Sequence, residues 1–265
     1  MPTQEQHPIK IQCLFKEQKK LCYPKEVEPV EEMIPRNAFF PGGSGLWARP
    51  TDEEWQVLSK LQICRSFFDN QDRPPMPVEK VMVLAQDFGS KCWHEKCLSE
   101  DNDLTSPTWK NLLEYLHCVG IPPKHCFFTN AYMGLMEKDR LKEMKDKEFN
   151  PFKKTCKLFL DKQIRMQKPQ LILALGEYAI DLIAELSPDD LAAWRPWPGF
   201  KGLNDKSSWI DGVHFNDSNL GTVVALVHPS YRHVNIKYRF YYGKKKKAAE
   251  LAMLKDALKK SGLQQ

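Results

Sequence analysis

Four short, continuously apolar runs constrain this chain more than anything else in it: Val81-Met82-Val83-Leu84-Ala85, Cys126-Phe127-Phe128-Thr129, Leu171-Ile172-Leu173-Ala174-Leu175 and Thr222-Val223-Val224-Ala225-Leu226-Val227. A strand with one face in water alternates apolar and polar residues, and a strand buried on both faces does not. The segments between the runs have helical spacing. Ser106-Pro107 supplies an N-cap and a first-turn proline for a helix carrying Trp109, Leu112, Leu113 and Leu116, stopped near Gly120. Phe152, Cys156, Phe159, Leu160 and Ile164 mark a second helix that Pro169 ends, and the third run passes through Gly176 into another helix. Buried strands alternating with helices predict the α/β class, a three-layer α/β/α sandwich with a central four-stranded parallel sheet.

The predicted organisation is a single α/β domain over residues 51–265, preceded by an irregular arm over 1–50 that contains Pro41-Gly42-Gly43-Ser44-Gly45. Thr51 and Glu54 form a capping box for a helix of about 15 residues carrying Trp55, Leu58, Leu61, Phe67 and Phe68. With 265 residues, 42% of them hydrophobic, the chain can bury a sizeable core without disulfides. Its eight cysteines are scattered and no signal peptide is evident, so a reducing, cytoplasmic setting is expected. No apolar stretch approaches bilayer-spanning length, and no membrane association is expected. The net charge of +5 is modest, yet Lys237, Arg239 and Lys244 to Lys247 concentrate positive charge near the C-terminus. Such a concentration suits a polyanion, or alternatively a solvated helix face or a sorting signal.

In parallel sheets ligands bind beyond the carboxyl ends of the strands. The residues so placed are Gln86, Asp87 and Phe88 after the first run, Asn130 after the second, Glu177 after the third and His228-Pro229-Ser230 after the fourth. Taken singly, Asp87 can cap a helix, Asn130 can serve a turn and His228 can be an ordinary loop histidine. Together they match what breaking an N-glycosidic bond requires. That reaction develops positive charge on the sugar and negative charge on the departing base, and it needs a placed water. A carboxylate orients the water and stabilises the sugar cation, an amide bonds the polar edge of a pyrimidine, and an imidazole donates to the base oxygen where negative charge grows.

Val83-Leu84-Ala85-Gln86-Asp87 resembles the first uracil-DNA glycosylase motif, Gly-Gln-Asp-Pro-Tyr at a strand end. Phe127-Phe128-Thr129-Asn130 resembles the apolar strand that ends in the family's pyrimidine-reading asparagine. Leu173-Ala174-Leu175-Gly176-Glu177-Tyr178-Ala179 is similar to the third-strand segment, and His228-Pro229-Ser230 matches the final His-Pro-Ser motif. The order agrees, over roughly residues 79 to 240, and four ordered motifs carry far more than any one. The resemblance implies a DNA glycosylase of the uracil-DNA glycosylase superfamily, with Asp87 activating water, Asn130 reading the base and His228 as the electrophile. It also implies that the loop from Ser230 enters the minor groove, which makes Ser230, Tyr231, Arg232, His233, Lys237 and Arg239 the expected DNA-binding residues.

The departures from the family pattern bear on the substrate. Phe88-Gly89 replaces Pro-Tyr, and the missing tyrosine is the one that abuts the C5 edge of uracil and excludes thymine. Gln86, Phe88, Gly89 and Trp93 are the expected base-pocket residues, with Phe88 and Trp93 the candidates for stacking on the base or, alternatively, for core packing. Uracil is one expected substrate. A C5-modified base is the alternative, including a bulky decorated hydroxymethylcytosine removed from phage DNA by a defence enzyme. One branch of the superfamily carries an iron–sulfur cluster, but the close N-terminal Cys-x-x-Cys pair is missing, and Cys92 to Cys97 has poor spacing for zinc. No cofactor and no metal are expected. No lysine sits in a motif position, so a monofunctional, monomeric enzyme is expected. The rivals are a catalytically silent DNA-binding module of the same fold and an unrelated nucleotide-binding protein, the latter disfavoured because no glycine-rich loop follows the first strand. The long insertion from Trp194 to Gly221 is expected to wall the pocket or touch DNA.

Overall fold

A computed structural model of the chain describes residues 17–18, 20–30, 56, 59–60, 80–92, 95, 107–123, 126–136, 147–215 and 219–263. In chain order the elements are β1 (Val27–Pro29), β2 (Val81–Ala85), α1 (Pro107–Val119), β3 (Cys126–Asn130), β4 (Gly134–Met136), α2 (Asn150–Gln167), β5 (Leu171–Leu175), α3 (Glu177–Leu186), β6 (Trp209–Phe215), β7 (Asn219–Leu226), β8 (Phe240–Tyr241), β9 (Lys244–Lys245) and α4 (Lys246–Lys260), with single turns of helix between some of them. The helix expected from Thr51 lies outside the described residues apart from Gln56, Ser59 and Lys60.

The central sheet has the order β3-β2-β5-β7-β6. Its first four strands are the four apolar runs, and they pair in parallel. Successive side chains of a strand point to opposite faces, and both faces here are covered. Met82, Leu84, Phe127, Ile172, Ala174, Val223 and Ala225 pack against the apolar stripes of α2 and α3. Val81, Val83, Cys126, Phe128, Leu171, Leu173, Val224 and Leu226 pack against α1 and α4. The layers are therefore α/β/α. Cys126 and Cys156 are free thiols buried within these two cores, and burial pushes the Cys156 thiol up to about 12. Among the described residues no helix is long and apolar enough to cross a membrane.

A fifth strand, β6, adds an antiparallel edge to the sheet, and it comes from the insertion. Trp194, Phe200, Leu203, Val213 and Phe215 are all core residues, and Trp194 Nε1 donates to the Ser207 carbonyl at 2.9 Å. The segment expected to be a long loop over the pocket is thus mostly framework. The alternation of β6 is broken by a register shift between Ile210 and Val213, where Gly212 has φ 68°. A bulge of this kind erases the period of two by which an edge strand is recognised. Part of the N-terminal arm is pinned to the same body: β1 pairs antiparallel with β4, Val27 and Val30 are buried, and the Tyr23 hydroxyl donates to the Met133 carbonyl at 2.8 Å.

The chief correction concerns Arg239, expected on the DNA-facing surface. Its residue is 1% exposed. The guanidinium Nε lies 3.1 Å from Glu250 Oε1 as an ion-pair contact, Nη2 donates to the Ala225 carbonyl at 2.7 Å, and Nη1 donates to the carbonyls of Phe200 and Leu203. Glu250 also accepts from the Val227 backbone N–H and from the Tyr115 hydroxyl, each at 2.8 Å. Burial raises the carboxyl pKa of Glu250 and lowers that of the guanidinium, while their attraction opposes both shifts. The reason a basic residue sits inside a basic stripe is its place in the alternation of residues 238–242, where positions 239 and 241 face inward. Removing one partner of a buried pair strands the other charge in a low dielectric. We expect Arg239→Met to lower the unfolding free energy by about 3–5 kcal/mol in urea melts, while the salt dependence of heparin binding stays unchanged. A small stability loss with a flattened salt dependence would return Arg239 to the surface.

Candidate active site

Parallel register brings the strand ends into one row. Ala85 pairs with Asn130 and Leu84 with Ala174, and Leu175 pairs with Leu226, so Gln86, Gly176 and Val227 each leave the sheet at the same level. Beyond them β3 still tracks β2, through Ala131 N–H to Ala85 O and Tyr132 N–H to Gln86 O. Gly176 sits where three of these exits crowd together. Its φ is +87°, and a Cβ there would lie 2.9 Å from Gln86 Oε1 and 2.9 Å from His228 Cβ. Only glycine tolerates both the dihedral and the space. The glycine of the third motif therefore lets the ends of β2 and β7 approach each other across β5.

His228 is half-buried at this junction. Ser230 N–H points to His228 Nδ1 at 3.4 Å, and Ser230 Oγ lies 2.7 Å from the same nitrogen. A backbone N–H can meet only a lone pair, so Nδ1 is the acceptor and the neutral ring carries its proton on Nε2. Desolvation holds the imidazole pKa down to about 4, so the ring is neutral at physiological pH and offers Nε2–H as a donor.

The turn that carries it is fastened to α1. Asn111 Nδ2 donates to the Pro229 carbonyl at 2.9 Å. Arg232 pairs with Glu114 at 2.8 Å, reaches Asn111 Oδ1 at 3.3 Å and stacks 4.3 Å above the Tyr115 ring. Lys247 joins Glu114 from the other side. One expectation changes here. Arg232 is among the expected DNA-binding residues, but its side chain is 13% exposed and is engaged in holding this turn. Ser230 Oγ is in contact with the histidine. Tyr231, His233 and Lys237 are exposed. Neither Asn111 nor Glu114 was legible beforehand, since polar residues on the outer face of an amphipathic helix carry no signal of the turn they will meet.

Asn130 is 0% exposed at the end of β3, and neither its Oδ1 nor its Nδ2 has a hydrogen-bond partner among the described residues. Its neighbour Thr129 by contrast donates to Gln163 Oε1 at 2.6 Å on the opposite face. An unpaired buried amide costs about 1–3 kcal/mol per group, and such groups call for a ligand or a special role. Asp87, next to the end of β2, accepts from the Gly89 N–H through Oδ1 at 2.6 Å, an Asx-type turn that fixes the carboxylate plane. Gly89 has φ 77°, so this turn itself asks for glycine where the family pattern has tyrosine. Phe88 is buried in the core on the α2 and α3 side, so of its two expected alternatives the structure favours core packing. Trp93 and Cys97 lie outside the described residues. Among the described residues no cluster of three or more His, Cys, Asp or Glu is arranged to hold a metal.

Tyr178, in the first turn of α3, was not singled out from sequence as a site residue. Burial raises its pKa, and the nearby charges of Glu177 and Asp87 and the Tyr231 phenol push the same way. Its ring meets Tyr132 edge to face with centroids 6.2 Å apart, while Tyr231 lies 6.0 Å from the His228 ring. These contacts bring residues following β2, β3, β5 and β7 into one neighbourhood.

A family model described as the uracil DNA glycosylase superfamily matches residues 102–257, more than half of the chain. The chain belongs to the uracil-DNA glycosylase superfamily. No curated protein compared with the chain matches it. The superfamily match contains Asn130, Gly176 and His228 and begins after β2, so Gln86 and Asp87 join the site through sheet register. Members of the superfamily are DNA-binding glycosylases, and the α/β/α body with a mostly parallel central sheet agrees with that membership.

The depressed histidine pKa has a measurable consequence. The folded chain binds this proton less readily than the unfolded one, so the associated stability is complete above about 6.5 and is lost as pH falls toward about 4. Nitrogen-resolved NMR titration of His228 should give a midpoint near 4 with the Nε2–H tautomer. A midpoint at the ordinary imidazole value would mean an exposed, differently bonded ring.

Proposed function

We propose that this chain is a monofunctional, monomeric DNA N-glycosylase that hydrolyses the bond between deoxyribose and a flipped-out pyrimidine and leaves an abasic site. The observation that carries the reading is the orphaned amide of Asn130, a donor and an acceptor buried together without partners at a strand end beside Gln86 and Asp87. The polar edge of a pyrimidine has the complementary pair. Uracil accepts at O4 and donates at N3, and cytosine does the reverse.

Each remaining step has a group of the required type. Asp87, held by its Asx turn, orients the water and faces the cationic sugar. His228 donates from Nε2 to the base O2 as negative charge accumulates there; a neutral donor in a desolvated site stabilises that charge without first having to be neutralised. Tyr231, His233 and Lys237 are exposed beyond the His-Pro-Ser turn and provide a wedge and cations for the strand around the extruded nucleotide. No lysine occupies a motif position, which argues for hydrolysis by water over a Schiff base.

Both substrate branches follow from two residues. The Asn130 amide has no described partner to hold it in one orientation, so it suits uracil or cytosine. Gly89 brings no side chain against a C5 substituent. The reading therefore extends from uracil to C5-modified pyrimidines, including decorated hydroxymethylcytosine.

The test is release of free base, followed by mass, from oligonucleotides bearing uracil, a thymine mismatch, hydroxymethylcytosine or its glucosylated form. Asp87→Asn keeps the Oδ1 acceptor of the turn and should slow release by about 10²–10⁴-fold with little change in DNA affinity. Unaltered release by that variant would remove the mechanism, and no release from any of the four by the intact protein would favour a silent DNA-binding module.

A further inference from the structure

Seven large apolar residues are exposed among the described ones, and five of them, Tyr231, Val234, Tyr238, Phe240 and Tyr242, fall in one short stretch after the His-Pro-Ser turn. Tyr231 and Val234 border the site already described. The other three form a separate feature. Tyr238, Phe240 and Tyr242 are 37%, 36% and 63% exposed, and between them Arg239 and Tyr241 are 1% and 4% exposed. Tyr238 closes a single helical turn, Phe240 lies in β8, and Tyr242 has φ 42° in the turn that leads to β9, so three partly exposed rings stand within five residues at one end of this hairpin.

The hairpin is held firmly. Arg239 anchors it from beneath through Glu250 and three backbone carbonyls. Tyr241 donates to Asp256 at 2.8 Å and accepts from Trp209 Nε1 at 3.0 Å. From the insertion, Asn204 donates to the Tyr238 carbonyl at 3.0 Å and accepts from the Phe240 N–H at 2.9 Å, while the Asp205 carboxylate accepts from the Tyr242 N–H at 2.8 Å. These contacts hold the hairpin in place, with the Tyr242 ring edge to face on Tyr241 at 4.7 Å and part of each of the three rings left in solvent.

The surroundings are cationic. Lys237 and Lys201 place ammonium groups 5.0 Å and 5.5 Å from the Tyr238 ring, and Lys244, Lys245 and Lys246 are exposed just past Tyr242. No Asp or Glu occurs between His228 and Glu250. Two carboxylates from other elements meet the hairpin: Asp205 accepts from the Tyr242 N–H and Asp256 from the Tyr241 hydroxyl.

We propose that this hairpin is a stacking platform for single-stranded DNA, which receives unpaired bases flanking the nucleotide held in the active site. Rings attract the π-face of any base, and lysines track the phosphates. In a duplex those faces are already stacked on neighbouring pairs, so only an unpaired strand can use the rings. The proposal rests on the glycosylase reading for where the strand comes from, and gives that enzyme a preference for single-stranded or locally opened DNA.

The test uses the full chain and fluorescence anisotropy with an unmodified single-stranded oligonucleotide and its duplex, neither containing an excisable base. Tyr238→Ser/Phe240→Ser/Tyr242→Ser should weaken single-strand binding by at least about 50-fold, since each base–ring stack contributes severalfold or more, while duplex binding changes by less than about threefold. Tyr238→Phe/Tyr242→Phe should retain single-strand affinity, which separates lost stacking from a damaged hairpin. Equal losses on both DNA forms, or no loss on either, would overturn the platform. So would a wild-type dimer that the triple substitution converts to monomer with unaltered DNA affinity, because the rings would then be a contact between copies. Base release is scored separately. Selective single-strand binding without any base release sinks the enzyme and leaves the platform, whereas base release with unchanged single-strand binding in the triple variant does the opposite.

Discussion

The buried pair Arg239–Glu250 ties together segments that lie far apart in the chain. Glu250, on α4, accepts the N–H of Val227, the residue immediately before His228, and the hydroxyl of Tyr115 on α1. Arg239 reaches from the hairpin to the end of β7 and to the insertion. A bare charge at this depth would be expelled or neutralised, and the pair persists because each ion has several hydrogen bonds in addition to its partner. The geometry of this one interaction fixes the exit of β7, the seat of the last helix and the pose of the exposed aromatic residues at once.

Around that anchor the site divides between rigid and receptive groups. His228 is locked by Ser230, and its turn by Asn111 and by the Arg232–Glu114 pair. Asp87 is locked by the Gly89 N–H. Asn130, fully buried, has neither end of its amide engaged among the described residues. A glycosylase needs its electrophile and its carboxylate placed before the base arrives, because the charges they stabilise exist only in the transition state. The base reader, by contrast, has to be free until a base fills it. The superfamily to which the chain belongs accounts for the body; this division of roles accounts for the proposed reaction.

The fate of the basic residues shows how charge is apportioned. Of the stripe near the C-terminus, Arg239 went inside as an anchor, Arg232 and Lys247 converged on Glu114, and Lys237, Lys244, Lys245 and Lys246 remained in solvent. Arginine took both of the enclosed positions, in keeping with a planar fork that satisfies several acceptors at once and is more weakly hydrated than an ammonium.

By itself the sequence determined the parallel sheet, its four core strands and which residues stand at the strand ends. Continuous apolar runs and 3.6-residue stripes are local consequences of double-sided burial and leave a local record. Asp87, Asn130 and His228 were legible for the same reason, as polar residues placed directly after apolar runs. Tertiary structure alone decided the edge strand β6, hidden by its bulge at Gly212, and the reason for glycine at 176, which depends on Gln86 and His228 from two other segments. It also decided that Arg239 turns inward while the rings on either side of it turn out. Periodicity records which face of an element is covered, but which charge finds a counter-ion across the fold is set by contacts between residues distant in the chain, and a single sequence carries no trace of those.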